Sequence, residues 1–163
     1  MIYSLAELQR AIAQDPDQWR PLVFTNGCFD LLHVGHVRYL TAARQLGKRL
    51  IVGLNSDRSV HNLKPAKPGY PPRPIIPETQ RGEVLAALKP VDGVVIFDGP
   101  TAGPTIADLQ PDIYVKGGDY TLETLPETPI VQSYGGEIQL IPMEVTTGTT
   151  NIIEKILNSS APK

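Results

Sequence analysis

The chain is predicted to fold as an α/β domain, a doubly wound, mainly parallel sheet with helices on both faces. Three observations predict it. Short apolar runs rich in strand formers alternate with segments of helical periodicity, glycine or proline punctuates several of the junctions, and 163 residues suit one compact domain of this kind.

The elements follow in order. Ser4-Leu5-Ala6-Glu7 reads as a capping box, and apolar positions at Leu5, Leu8 and Ile12 continue it into a helix that ends near Gln14, before Asp15-Pro16. Residues 1–20 thus form a leading helical segment to a core expected over 21–157. Residues 22–25 are a strand, followed through Asn26-Gly27 by a helix over 34–46 that Gly47 closes at the usual stop position. Strands are then expected over 49–54, 91–97, 112–116 and 137–141, and helices over 79–88, 104–109, 129–134 and 150–157. On the last helix Ile152, Ile153, Ile156 and Leu157 read as core. Residues 61–77 break the rhythm: six prolines exclude regular helix or central strand, so this is a long loop, and it carries Lys64, Lys67 and Arg73. In sheets of this kind ligands sit beyond the carboxyl ends of the strands, where the strand order reverses.

Composition narrows the function classes. Hydrophobic residues are 41% of the chain and charged residues 20%, so a conventional core is available. A net charge of −2 argues against a general nucleic-acid binder. Cys28 is the only cysteine, which excludes an internal disulfide. MIYSLAELQR lacks the layout of a signal peptide, and no apolar run approaches the ~20 residues that span a bilayer. No membrane association is expected, and the cytoplasm is the expected address.

The most informative segment runs from Thr25 to His36, at the end of a strand and the opening of a helix. Free N–H groups and the helix dipole favour an anion there. Gly27 would let backbone approach a phosphate, and Gly35 would leave one helix face bare. His33 and His36 are three apart, so both imidazoles project to one side and make a notch suited to phosphate oxygens. A metal site would need a further ligand, and the one other histidine, His61, lies in the proline-rich loop. No metal ligands are therefore assigned.

Gly27-x-Phe29-Asp30-x-x-His33-x-Gly35-His36 resembles the GxFDxxHxGH motif of the cytidylyltransferase-like nucleotidyltransferase superfamily. Six fixed positions coincide by chance about once in 10⁷–10⁸ windows at average residue usage. Val115-Lys116-Gly117-Gly118-Asp119-Tyr120 is similar to the VKGGDY segment of the adenylyltransferases that make ADP-heptose from heptose 1-phosphate. Asn55-Ser56-Asp57, Arg73-Pro74-Ile75, Gln80-Arg81 and Thr149-Thr150-Asn151-Ile152-Ile153 resemble that family's order of elements, so the likeness covers about 21–157. Gly148 stands where the family carries a serine. Many relatives fuse this domain to a sugar kinase, and this chain resembles the stand-alone form.

The resemblance implies a Rossmann-like fold and transfer of AMP from ATP to a sugar 1-phosphate, with pyrophosphate released. It gives His33 and His36 the role of donors to the triphosphate, with Lys64 as a mobile catalytic cation over the phosphates. Gly27, Gly35, Asp30 and the amides of Cys28 and Phe29 would line the nucleotide site. Asn55, Asp57, the turn Lys116-Gly117-Gly118-Asp119 and the threonines Thr149 and Thr150 would complete it, within a segment from Thr146 at the last helix's start. Lys67 and Arg81 would hold the acceptor phosphate, Arg81 bidentately. Mg²⁺ is expected to enter with ATP, reached indirectly by Asp30 and Asp119; Asp30 could instead cap the following helix. Cys28 reads as a small filler residue rather than a nucleophile. A homodimer is a family-level expectation. CTP with glycerol 3-phosphate or a similar small phosphate is the nearest alternative, and a non-catalytic nucleotide-binding regulator the second. A kinase or ATPase is disfavoured, because neither GxxxxGK[ST] nor a GxGxxG after a strand is present.

Overall fold

A computed structural model of the chain describes residues 1–118, 120–142 and 148–159. Six parallel strands form one sheet: β1 (Ile2–Tyr3), β2 (Leu22–Gly27), β3 (Arg49–Asn55), β4 (Gly93–Phe97), β5 (Ile113–Gly117) and β6 (Glu137–Ile141), in the spatial order β1-β4-β3-β2-β5-β6. The chain steps outward from β2 to β4 on one side, then crosses back to place β5 on the other. The order therefore reverses between β2 and β5, where Val23, Phe24 and Thr25 pair with Ile113, Tyr114 and Val115. A crevice at the carboxyl ends of these two strands follows from that reversal.

Alternate residues of each strand feed opposite layers, as the pleat requires. Leu22, Phe24, Ile51, Val95 and Tyr114 pack beneath α1 (Leu5–Gln14), α6 (Gly103–Leu109) and α7 (Thr128–Ser133). Val23, Leu50, Val52, Val94 and Val115 pack on the other face against α3 (Val34–Arg44) and α5 (Glu78–Ala86). Both faces of the central strands are buried, which is why these strands read as unbroken apolar runs. Gly53 is part of the fit: a β-carbon there would come within 2.5 Å of the Phe24 ring.

Four features depart from the sequence reading. The edge strand β1 and the one-turn helix α2 (Pro16–Trp19), capped by Asp15, were not expected. A helix α4 (Asp57–Leu63) enters the segment assigned to loop; it ends at Leu63, just before the first proline of the run at Pro65. Gly47 is not the stop residue of α3, which ends at Arg44 with Gln45 as its cap. A β-carbon at Gly47 would instead collide with the carbonyl of Pro21, so glycine is needed for close approach of backbone.

The last helix, α8 (Thr149–Ser159), corrects a further expectation. Ile153 is buried, but Ile156 and Leu157 are exposed, at 57% and 38%. Only one apolar position of the helix reaches the core.

Candidate active site

The site is built on the turn that leaves β2. Phe29 adopts a left-handed backbone (φ +44°), which costs a non-glycine residue about 1–2 kcal/mol. Its buried ring lies under Gly27, where a β-carbon would stand 3.0 Å from it, and its centroid is 5.4 Å from that of His36. The bare position at Gly27 thus accommodates the chain's own phenyl ring as well as facing a cavity.

His33 is the N-cap of α3 and His36 its third residue, and the ring centroids are 4.0 Å apart. The His36 Nδ1 accepts from the backbone N–H of His33 at 3.3 Å. That fixes the neutral ring with its proton on Nε2, a donor directed away from the backbone. Burial, and then the neighbouring His33, lower the His36 pKa to about 4, and burial lowers that of His33. Both rings are neutral near pH 7. The His33 Nδ1 is buried without a hydrogen-bond partner, an open position at the mouth of a helix. The pair is positioned by Tyr39, on the same helix, whose hydroxyl meets Thr25 Oγ1 at 2.6 Å and donates to the Val115 carbonyl at 3.1 Å. One buried phenol therefore ties α3 to both strands at the reversal.

Next to this turn lies a cavity of about 430 Å³. Gly27 lines it from the end of β2 and Cys28 from the turn that follows, Asn55 from β3, Lys116 and Gly117 from β5, and Lys64 from the loop. Lys64 is exposed, whereas burial lowers the Lys116 pKa and its Nζ lies 3.1 Å from Asn26 Oδ1. Tyr114 donates to the same Asn26 oxygen at 2.7 Å. Gly118 turns at φ +109°, a backbone that side-chain-bearing residues rarely adopt, and so needs glycine. Asp119, and Thr146 at the start of the C-terminal segment, lie outside the described residues. Thr149 donates to the Leu31 carbonyl at 3.3 Å, which brings α8 to the same turn. Burial pushes the Cys28 thiol up, so it is no poised nucleophile.

Two site assignments are corrected. Arg81 is not free to grip an acceptor phosphate: it is 1% exposed and donates to the carbonyls of Ile76 and Cys28 and to Asp57 Oδ1. Its guanidinium is a buried strut that holds the turn after β2 to α5. Asp57 takes that bond and the Glu78 amide, so one of its oxygens belongs to the same strut. Asp30 does not cap α3, whose N-cap is His33. Its fully buried carboxylate accepts from Arg73 Nε at 2.5 Å and from the amides of Ile75 and Ile76 at 2.9 Å. It clasps the end of the proline-rich loop. Farther along, Lys67 sits 4.2 Å from the Tyr70 ring centroid, and Tyr70 donates to Glu154 of α8. Lys67 lines a separate cavity of about 200 Å³ with Lys64, Tyr70, Arg73 and Thr150.

Among the described residues, no three His, Cys, Asp or Glu side chains converge to hold a metal ion. The cavity instead offers scattered amide and hydroxyl groups, two lysines and the one carboxylate of Glu127, so away from Glu127 its donors suit an anionic ligand bringing its own counter-ion. None of the described helices is long and apolar enough to cross a membrane.

A parallel sheet with a histidine pair at the first turn beyond its central strand, beside a lysine-bearing crevice, defines the nucleotidyltransferase class of α/β protein. The cytidylyltransferase-like family pattern matches residues 24–159, and the chain belongs to that family. It is 54% identical over 139 residues to the bifunctional protein HldE of Syntrophotalea carbinolica, covering 85% of this chain and 27% of that protein. It is 52% identical to HldE of Trichlorobacter lovleyi, covering 92% and 30%. The chain thus spans under a third of the curated relatives it matches. A lipopolysaccharide core biosynthesis protein of Thermoplasma volcanium superposes with a TM-score of 0.60 at 25% identity, over 77% of this chain and 97% of that one. A pantoate-beta-alanine ligase of Francisella tularensis, at 14% identity and TM-score 0.59, covers 97% of this chain and 78% of its own, and shares the fold.

Asn26, Tyr39, Tyr114 and Glu127 were missed by sequence reasoning. Tyr114 and Lys116 share one face of β5 by alternation, a signal that could have grouped them. Tyr39 falls within the helix expected over 34–46, where nothing in the sequence singles it out.

Proposed function

We propose that the chain transfers AMP from ATP to heptose 1-phosphate, giving ADP-heptose and pyrophosphate. An oxygen of the acceptor's phosphate attacks the α-phosphorus of ATP. A new P–O bond forms, the bond between the α-phosphorus and its bridging oxygen breaks, and pyrophosphate leaves with the electron pair. The second pKa of a phosphomonoester is about 6, so the nucleophile is already anionic near neutrality and needs no general base. The observation that carries the reading is the histidine pair, with its donor at His36 Nε2 and open nitrogen at His33, at the end of the same turn whose Gly27 and Cys28 line the cavity at the strand reversal, although neither ring is itself part of that lining. Neutral imidazoles there donate to triphosphate oxygens, Lys64 moves with the loop to offset charge, and Lys116 supplies fixed charge. Mg²⁺ arrives on ATP as part of the substrate.

The choice of acceptor rests on the KGGDY and C-terminal threonine segments and on the roughly half-identical relatives named HldE. In the same reading Asn55 and the Gly117-Gly118 turn contact the nucleotide, the protein works in the cytoplasm, and two copies pair as a homodimer. A pyrophosphate-release assay over four nucleoside triphosphates and a panel of sugar 1-phosphates, with glycerol 3-phosphate included, tests it. ATP with heptose 1-phosphate should exceed every other pair; preference for CTP with glycerol 3-phosphate would replace this reading with the other chemistry on the same fold. ATP binding without turnover of any acceptor would mark a regulator.

A further inference from the structure

One buried carboxylate in the cavity is not used by this mechanism. Glu127, at the start of α7, is 3% exposed and lines the cavity. Its Oε1 accepts from the Ala102 amide at 3.3 Å, whereas its Oε2 has no hydrogen-bond partner. A buried carboxylate oxygen without a donor is costly, so the position demands one. The surroundings restrict which donor can enter. A phosphate would meet like charge, whereas an uncharged hydroxyl can give its proton to Glu127 and accept from a neighbouring cation. Lys116 is that cation: it is half-buried, it borders the same cavity, and burial lowers its pKa while the neighbouring Glu127 acts in the opposite direction. Thr101, also on the wall, offers a further hydroxyl, and Asn26 lies against Lys116. The arrangement pairs an acceptor with donors, as adjacent hydroxyls on a ring require.

We infer that Glu127, with Lys116 and Asn26, forms a subsite for vicinal hydroxyls on the cavity wall. It sets specificity for a polyhydroxylated ring. This inference rests on the nucleotidyltransferase reading of the same cavity. Two substrates of that reading carry such hydroxyls, the acceptor sugar and the ribose of ATP, and the test separates them.

Wild-type protein is assayed with heptose 1-phosphate against analogues lacking single ring hydroxyls, and by calorimetry with ATP against 2′-deoxy- and 3′-deoxy-ATP. The same panels are run on Glu127→Gln, which keeps the bond to Ala102, and on Glu127→Asp, which keeps the charge but withdraws it by one methylene. At least one analogue series should bind about tenfold or more weakly than its parent to wild type, and the variants should lose that discrimination. Loss confined to the sugar series assigns the acceptor, and loss confined to the deoxy-ATP series assigns the ribose. Wild-type protein indifferent to every deoxy analogue overturns the subsite, as does discrimination retained in a folded variant. If no sugar 1-phosphate is turned over at all, the heptose reading fails, while the ATP series still decides whether Glu127 reads hydroxyls.

Discussion

Replacing Asp30 with asparagine separates a structural clasp from a metal ligand. In the structure the carboxylate receives the Arg73 guanidinium and two backbone amides, and it is wholly buried. Asparagine matches its size but turns one acceptor into an NH₂ group that faces donors. With the NH₂ in the place of Oδ2 the charge-assisted bond to Arg73 is lost, at about 1.5–3 kcal/mol, while Oδ1 still accepts from both amides; with the NH₂ in the place of Oδ1 the Ile76 amide is left unpaired instead, at about 1–3 kcal/mol. Arg73 keeps 16% exposure and can recover some hydration, so a net cost of up to about 3 kcal/mol is reasonable. For a chain of this length that lowers Tm by up to about 12 °C. If the loop opens locally instead, the whole cost appears there, and the amides of Ile75 and Ile76 exchange up to about 100-fold faster. Calorimetric melting and amide exchange read the two cases, and kinetics should show a raised KM for ATP because Lys64 hangs from the same loop. Were Asp30 a metal contact, D30N would abolish Mg²⁺-dependent turnover with melting and loop protection intact. That result would refute the clasp.

Further outcomes are expected. His33→Ala or His36→Ala should each lower kcat by about 10²-fold or more in pyrophosphate release, and unchanged rates in both would remove the pair from the chemistry. His36 titrates near 4 in the folded chain, below its ordinary 6.5, so the unfolded chain takes up the proton first as pH falls. Its contribution is present above about 6.5 and lost as pH falls through about 4, amounting to about 1–2 kcal/mol after discounting for its partial exposure. Wild type should lose that much more stability than His36→Gln between pH 7 and 4 in denaturant titrations; parallel curves would contradict the depressed value. Tyr39→Phe strips the hydroxyl that meets Thr25 and Val115 and should cost about 1–3 kcal/mol in thermal melts. Its kcat should fall with little change in KM for ATP if the phenol only aims the histidine helix, whereas an unaltered melt would show the two bonds to be idle.

Much of the fold was legible because its signals are local. The strands at 22–25, 49–54 and 137–141 announce themselves by composition, and Ser4 with Glu7 makes the capping box that sequence spacing implies. What escaped depends on distant partners. The two-residue strand β1 exists because Ile2 and Tyr3 pair with Val94 and Val95, some ninety residues away, and nothing in the dipeptide reveals that. Arg81 and Asp30 failed for the same reason in the opposite sense. A charged residue near a phosphate motif reads as a ligand contact until its counter-charge is located, and each of these finds that partner within the chain. Glu127 carried no signal at all, since Pro-Glu-Thr-Pro reads as the start of a helix.

The buried charges therefore divide by whether they are satisfied. Asp30 and Arg81 belong to closed sets in which the ionic groups meet opposing charge or backbone, with half-exposed Asp57 giving one oxygen to Arg81, and such sets fix shape without leaving the buried groups capacity for a ligand. His33 Nδ1 and Glu127 Oε2 are open, each buried and each without a partner. Folding does not tolerate open polar atoms without cause, because each forfeits hydration that the chain does not return. The closed sets hold β2, α4, α5 and the proline-rich loop in register. That rigidity keeps the open atoms from collapsing onto protein partners of their own. On this view the clasp and the strut contribute to catalysis without touching substrate: they preserve unsatisfied groups beside the strand reversal, where an incoming nucleotide and acceptor can satisfy them.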